Sequence, residues 1–283
     1  IDVQPHADQP ADLAMIPMWK VPGAATAGMQ QQRLYRHQRH GQRHEAGQDR
    51  GASERAHRVD VIPSSGAGSA RRRVPGDGRQ DRGDEPWPPV RANACGCDLR
   101  DIAELQSALD RLKADLGPAD ILVNNAAHDQ RHDWRDMTPA YWDERMAVNL
   151  RHMFFAMQKV APWMIERHGG SIINFSSTSW KLKMATLPAY TTAKAAVHGL
   201  TKSFQMELGK SNIRVNTVYP GWVMTARQKQ LWFDEAGRRT LEEHQAMAGL
   251  IQPEDVANLV MFLAADDSRF CSGAEFTCDG GWL

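Results

Sequence analysis

The sequence predicts an α/β protein of doubly wound, Rossmann-like architecture: one parallel-sheet domain behind an aberrant amino-terminal segment. Three observations predict it. Two short apolar runs, ADILVNNAA and SIINFSS, end in polar or small residues, and the carboxyl ends of such strands are where open α/β sheets hold their ligands. Between them, from about Ala140 to Ile165, Tyr141, Met146, Val148, Met153, Phe154, Met157, Val160 and Trp163 recur at the spacing of a long, largely buried helix. Strand, helix and strand in that order make a right-handed βαβ unit. Finally, AYTTAKAAVHGL sets Tyr190 and Lys194 four residues apart, on one face of a helix.

The remaining elements follow in chain order. The C-x-C of Cys95 and Cys97 shows no zinc spacing and reads as strand, followed by a helix in IAELQSALDRL. After the Tyr190 helix, IRVNTVYPG reads as a strand. PEDVANLVMFLAAD reads as a helix begun by Pro253 with Glu254 and Asp255 in its first turn, and AEFTCDGG as the last strand. The stretch from Gln228 to Leu250 is polar, and by composition alone is an ordinary surface helix pair.

The chemistry centres on the Tyr190–Lys194 pair. A free tyrosine titrates near pH ~10 and is a poor base at neutrality, but a neighbouring cation favours the phenolate. The spacing therefore predicts a proton-transfer unit. Ser177, thirteen residues earlier at the end of SIINFSS, can hydrogen-bond a reacting oxygen, or simply cap the strand end.

Asn124-Asn125-Ala126-Ala127, Asn149 in AVNLRHM, Ser177, Tyr190-x-x-x-Lys194 and Pro220-Gly221 in VYPGWVMT together resemble, in order and spacing, the motifs of the short-chain dehydrogenase/reductase family. The resemblance runs from roughly Ala94 to Leu283 and ends in a CDGGWL tail like the family's. Within the family, YWDERMAVNLRHMFFAMQKVAPWM, the SxSW of Ser177 to Trp180 and TARQ at 225–228 look most like bacterial aldose 1-dehydrogenases, those acting on D-xylose included.

The resemblance implies an oxidoreductase that moves a hydride from C1 of an aldose to NAD or NADP, with NAD favoured, giving the aldonolactone. An alternative is a dehydrogenase of another secondary alcohol. Tyr190 would be the base, Lys194 its tuning partner and a ribose contact, Ser177 the substrate-orienting hydroxyl. Asn149 would fix a water in the proton relay, or only satisfy a helix kink. Cofactor contacts carried over are Asn124, Ala126, Ala127 (where the family usually has glycine), Pro220, Gly221, Val223 and Thr225. Asp98 matches the adenine contact, or is an ordinary carboxylate at a helix start. For the sugar, Asp129, Trp180, Arg227 and Gln228 are candidates; a surface position suits each as well. In the family the 228–250 stretch is a substrate lid. The helices bearing Asn149 and Tyr190 resemble those that pack between subunits, so a homotetramer or homodimer is expected.

The first ninety residues do not fit. From Gln31 to Val90 there are six Ile, Leu or Val and no Phe against a dozen arginines, too little to build buried parallel strands. Gly66-Ala67-Gly68 and Gly76-Asp77-Gly78 are G-x-G fragments without a third glycine. Residues 1–92 therefore form a segment distinct from the catalytic part at 93–283. One reading is a basic disordered arm with electrostatic affinity for nucleic acid. The other is coding text read out of frame. Back-translated and shifted one base, LYRHQRHGQRH permits Phe-Ile-Val-Thr-Ser-Gly-Thr-Gly-Ser-Gly, a strand and glycine-rich turn about eighty residues ahead of Asn124. A chain truly lacking that turn would be catalytically inactive.

Formal net charge is zero, against a general polyanion binder. Four cysteines without zinc spacing read as reduced thiols. Eleven scattered histidines contain no H-E-x-x-H, so no metal is expected. No apolar stretch has the ~18 residues of a membrane span, and no secretory signal is evident. The expectation is a cytoplasmic enzyme acting on a small sugar, with neither nucleic acid nor membrane as partner.

Overall fold

A computed structural model describes residues 93–283, together with two short strands earlier in the chain, β1 (Met18–Trp19) and β2 (Arg58–Ile62). The other strands are β3 (Asn93–Gly96), β4 (Ile121–Asn124), β5 (Gly170–Phe175), β6 (Ile213–Pro220) and β7 (Glu275–Cys278). They form one seven-stranded sheet ordered β3-β2-β1-β4-β5-β6-β7. β4 to β7 pair in parallel, as the apolar runs predicted. β1 and β2 are parallel to each other, but β1 is antiparallel to β4 and β2 to β3. Two strands of the amino-terminal segment thus lie between the edge strand β3 and the central β4, running against both, where the sequence predicted none; RVDVI is too short and polar to register as a buried run.

Strand residues alternate between two cores, as a pleated sheet covered on both faces requires. Leu122, Ile172, Ile213 and Val215 join one cluster, with Leu105, Leu109, Met157, Val160 and Met164. Ile121, Val123, Ile173, Phe175 and Val218 face the other, with Val256, Val260 and Leu263. The helices supplying the first cluster are α1 (Ile102–Leu116), α3 (His152–Glu166) and the end of α4 (Pro188–Leu208); the second is covered by α7 (Pro253–Ala264). Doubly wound architecture follows. Gly170 opens β5 where a Cβ would stand 2.6 Å from Met164 Sδ, so a larger residue there would have to displace the Met164 side chain that α3 packs against the strand.

The predicted long helix is two helices. α2 (Pro139–Met146), capped by Thr138, runs through a π-helical turn at Ala147–Arg151 into α3. Met153, Met157, Val160 and Trp163 are core as expected, whereas Phe154 is 37% exposed and stacks edge-on with Phe155 and Phe204. Its place on the opposite side of α3 is what a period of 3.6 residues dictates beside Met153 and Met157. The polar 228–250 stretch holds two short helices, α5 (Ala226–Leu231) and α6 (Glu235–His244). Among the described residues no helix is long and apolar enough to cross a membrane.

Candidate active site

The site lies where β4, β5 and β6 end. β5 delivers Ser177, which caps the short 3-10 turn Thr178–Trp180 by accepting from Ser179 N at 3.1 Å. α4, begun by Pro188 at its first turn, carries Tyr190 and Lys194 past that turn. Ser176 Oγ donates to the Lys194 carbonyl at 2.7 Å and ties the strand end to the helix. The hydroxyls of Ser177 and Tyr190 are hydrogen-bonded. Lys194 Nζ lies 5.7 Å from the Tyr190 ring centre and donates to Phe175 O at 2.8 Å.

The electrostatics differ from the sequence expectation. Lys194 is fully enclosed, and burial, opposed by Asp129, lowers its ammonium to about 7. Tyr190 is pushed above the usual phenol range, first by burial and then by the Asp129 carboxylate, while the Ser177 hydrogen bond pulls it back. Desolvation of both charged forms therefore outweighs the Lys194–Tyr190 attraction that the spacing suggested.

Asn149 sits fully buried inside the π-helical turn. Its Oδ1 accepts from His128 N at 2.8 Å, and its Nδ2 donates to His128 O at 3.2 Å and Arg145 O at 3.0 Å. The side-chain amide is thus spent on bracing the loop after β4 and the turn that carries it. Sequence reasoning missed the second brace: Arg145, 6% exposed, pairs with His128 Nδ1 and with Glu144 at 2.9 Å, its guanidinium 5.0 Å from the Tyr141 ring. Its position one turn before Asn149 was the available signal; nothing in the sequence marked this arginine as buried.

Among the cofactor candidates, Ala126 is buried and Ala127 partly exposed just beyond β4. Asn124 points elsewhere: its Nδ2 donates to Asn174 Oδ1 at 2.8 Å within the core, and its Oδ1 has no hydrogen-bond partner among the described residues. Only its backbone is left to face a ligand. Pro220 O accepts from Thr178 Oγ1 at 3.2 Å, which joins the ends of β5 and β6. A Cβ on Gly221 would lie 2.6 Å from Asp279 Cα. Val223 and Thr225 follow, Thr225 capping α5 by accepting from Gln228 N at 3.2 Å.

Asp98 is not the helix cap, a role that falls to Asp101, which accepts from Ala103 N and Glu104 N. The Asp98 carboxylate instead grips Arg100, whose Nη2 approaches to 2.6 Å. The predicted G-x-G fragments and the out-of-frame stretch lie outside the described residues.

Three of the four sugar candidates meet. The Asp129 carboxylate takes Arg227 on one oxygen and Gln228 Nε2 at 3.0 Å on the other, and Gln228 Oε1 accepts from Trp222 Nε1 at 2.9 Å. Trp180 does not join them; it packs at 6.3 Å against Tyr219, with Lys181 over its ring.

A nicotinamide cofactor fits the described half of the site. The ends of β4 and β6 leave small residues and close backbone at Ala126, Ala127 and Gly221. As an ammonium, Lys194 has three protons, and the structure shows one of them on Phe175 O.

The family described as Enoyl-(Acyl carrier protein) reductase matches residues 78–283, well over half of the chain and beginning before Ala94. This chain is a short-chain dehydrogenase/reductase. Relatives include D-xylose 1-dehydrogenase of Caulobacter vibrioides, 46% identical over 197 residues, or 70% of this chain and 76% of that one. Another is carbonyl reductase [NADPH] 2 of Sus scrofa, 41% identical over 62% of this chain and 72% of that one. Among solved structures, a 7α-hydroxysteroid dehydrogenase complexed with NADH and 7-oxo glycochenodeoxycholic acid is 32% identical at a TM-score of 0.63, covering 66% of this chain and 72% of that one. Membership makes the chain an oxidoreductase of the nicotinamide-dependent kind, acting on a small molecule.

Proposed function

We infer that this short-chain dehydrogenase oxidises an aldose at C1 to the aldonolactone with NAD as the favoured cofactor. The observation that carries this reading is the Ser177–Tyr190–Lys194 cluster, with Asp129 on the loop after β4 joined to Arg227 and Gln228 of α5. A sugar presents adjacent hydroxyls, and a carboxylate, a guanidinium and an amide supply acceptors and donors for them. The 46% identity to a D-xylose 1-dehydrogenase supports the same substrate class.

In the reaction the C1–H leaves as hydride and the C1 hydroxyl loses its proton, so that a lactone carbonyl remains. Bound oxidised nicotinamide supplies the hydride acceptor. Tyr190, a phenol at rest because burial holds its proton, must first release that proton toward solvent; its phenolate then takes the hydroxyl proton, and Ser177 hydrogen-bonds the same oxygen. Lys194, as ammonium, offsets the phenolate charge and has protons left for ribose hydroxyls. Asn149 supports the relay by fixing the loop at His128 and the turn that faces Lys194's helix. Ala126, Ala127, Pro220, Gly221, Val223, Thr225 and the backbone at Asn124 line the nicotinamide side, Asp98 the adenine side. Trp180, packed on Tyr219, is the weakest of the substrate assignments.

The test is reduced-nicotinamide formation by the purified chain with D-xylose, other aldoses and simple secondary alcohols, each with NAD and NADP. Turnover of secondary alcohols without sugars would replace the substrate class. No nicotinamide binding at all would mean that the catalytic part at 93–283 stands without a working partner in residues 1–92. That outcome is decided at the gene: an independent nucleotide sequence across the codons for Met29 to Asp98 either opens a frame with a strand and glycine-rich turn or leaves the basic segment as written. The arginine-rich composition and the reversed strands β1 and β2 support the out-of-frame reading.

A homo-oligomer, dimer or tetramer, belongs to the same proposal. Met146, Leu150, Phe154, Phe155 and Leu200 line an apolar hollow between α3 and α4, a face suited to a second copy. A cytoplasmic location is also part of it.

A further inference from the structure

The Ser177–Tyr190 hydrogen bond joins two separate elements, the 3-10 turn after β5 and helix α4. Ser177 caps the turn at its start, and Lys181 closes it, its N–H donating to Thr178 O. Tyr190, Lys194 and His198 follow at intervals of four along α4, so they share one side of the helix. Both elements reach the same group on β7. Glu275, the first residue of that strand, accepts from Lys181 Nζ at 2.9 Å on one oxygen, and its other oxygen lies 2.7 Å from His198 Nδ1. Lys181 is itself steered by two rings, its Nζ standing 4.4 Å from the centre of Tyr219 and 5.4 Å from that of Trp180. One turn beyond His198, Lys202 donates to Gly273 O at 2.6 Å, just before β7. Burial opposes the Glu275 charge, yet the Lys181 hydrogen bond and the charges of Lys181 and His198 hold its carboxyl below the usual range. With side-chain exposures of 30% for Lys181, 32% for Glu275 and 38% for His198, these ion pairs add little to stability. Their effect is on placement.

We propose that Glu275 is a positioning residue: by holding Lys181 and His198 on its two oxygens, it fixes the turn of Ser177 against the helix of Tyr190. This rests on the dehydrogenase reading above and adds a residue, distant in sequence, to the same site. Glu275 touches none of the reacting atoms. It acts through the closing residue of one element and the catalytic side of the other, so its loss leaves both hydroxyls present and their relative placement unguarded. A displacement of ~1 Å at reacting groups is enough to slow chemistry by up to ~10².

The experiment uses the full chain with Glu275→Met, Lys181→Met, His198→Leu and the conservative Lys181→Arg. Each of the first three is expected to lower kcat roughly three- to thirtyfold while the KM values for D-xylose and nicotinamide stay within about twofold. Melting temperatures should stay within about 3 °C of the parent, because the pairs are part-exposed. Proton transfer should become more limiting, seen as a larger solvent deuterium isotope effect on kcat. Lys181→Arg keeps the cation and is expected to keep the rate. Adding Lys181→Met to Glu275→Met should cost nothing further, since one bridge is lost only once. Hydrogen exchange read by mass spectrometry, with no substrate present, should show amides 178–184 exchanging at least about threefold faster in Glu275→Met. Parent kcat in any of the first three variants overturns the bridge. A rate loss that tracks a falling melting temperature, or that Lys181→Arg shares, reduces these groups to a structural role and overturns it too. A parent that turns over no sugar sinks the dehydrogenase reading separately; unchanged exchange at 178–184 then still overturns the hold of Glu275 on the turn, and faster exchange sustains it.

Discussion

Tyr190 and Lys194 owe their behaviour to enclosure more than to each other. Because burial holds the phenol up, replacing Tyr190 by Phe removes the base without opening a cavity: turnover is expected to fall by about 10²–10⁴, with the melting temperature kept or raised. A variant retaining most of its rate would take the base role from Tyr190. Lys194 makes a prediction in pH. Its folded value of about 7 lies below the 10.5 of a free lysine, so between these values the unfolded chain binds more protons and stability rises with pH. Below about 7 the full cost of a buried ammonium is in force. Urea unfolding should therefore show the parent gaining stability from pH 7 toward 10, and Lys194→Met should flatten that rise; an unchanged slope would assign it to other groups. Tyr190 acts in the opposite sense, above its usual range, where the folded chain keeps the proton.

At the scale of elements, the site depends on strand ends that approach each other without side chains between them. Gly221 is the tightest of these points, its absent Cβ being 2.6 Å from the backbone of Asp279. Gly221→Ala must push the end of β6 away from the segment after β7, at a cost of about 1–3 kcal/mol. It also displaces Val223 and Thr225, so urea unfolding should show lost stability, and the KM for nicotinamide should rise more than that for sugar. Wild-type stability in this variant would show that the strand end gives way freely. The π-helical turn is the corresponding device in a helix: it swings Asn149 inward, where three hydrogen bonds hold the loop at His128. π-helical turns of this kind are frequent at functional sites.

For the whole molecule, the exposed aromatic face of α3 and α4 is the feature that a lone subunit leaves unexplained. Phe154, with Phe155 and Phe204 beside it, presents apolar area to solvent that a second copy would cover. Phe154→Glu is expected to shift the assembly to smaller species in sedimentation velocity while leaving the fold intact. An unchanged sedimentation coefficient would mean that this face holds no second copy. The sheet bears the other molecule-wide feature: β4 to β7 run together, while β1 and β2, between β4 and the edge strand β3, run against them.

The parallel strands β4 to β7, the helices between them and the Ser177–Tyr190–Lys194 cluster were legible in the sequence, because apolar runs and the helical repeat encode what is buried within a few residues of chain. So was the discord of the first ninety residues, a matter of composition. Other features depended on groups distant in sequence. The π-helical turn splits what the apolar pattern read as one helix, since hydrophobic spacing is blind to one extra residue in a turn. Asn124 turned into the core because Asn174 lies opposite it on β5. Asp129 met Arg227 across nearly a hundred residues, and desolvation reversed the charge tuning expected of Tyr190 and Lys194. Local pattern records which residues seek burial; only the packed structure decides how far each charge is taken from water and which partner it finds there.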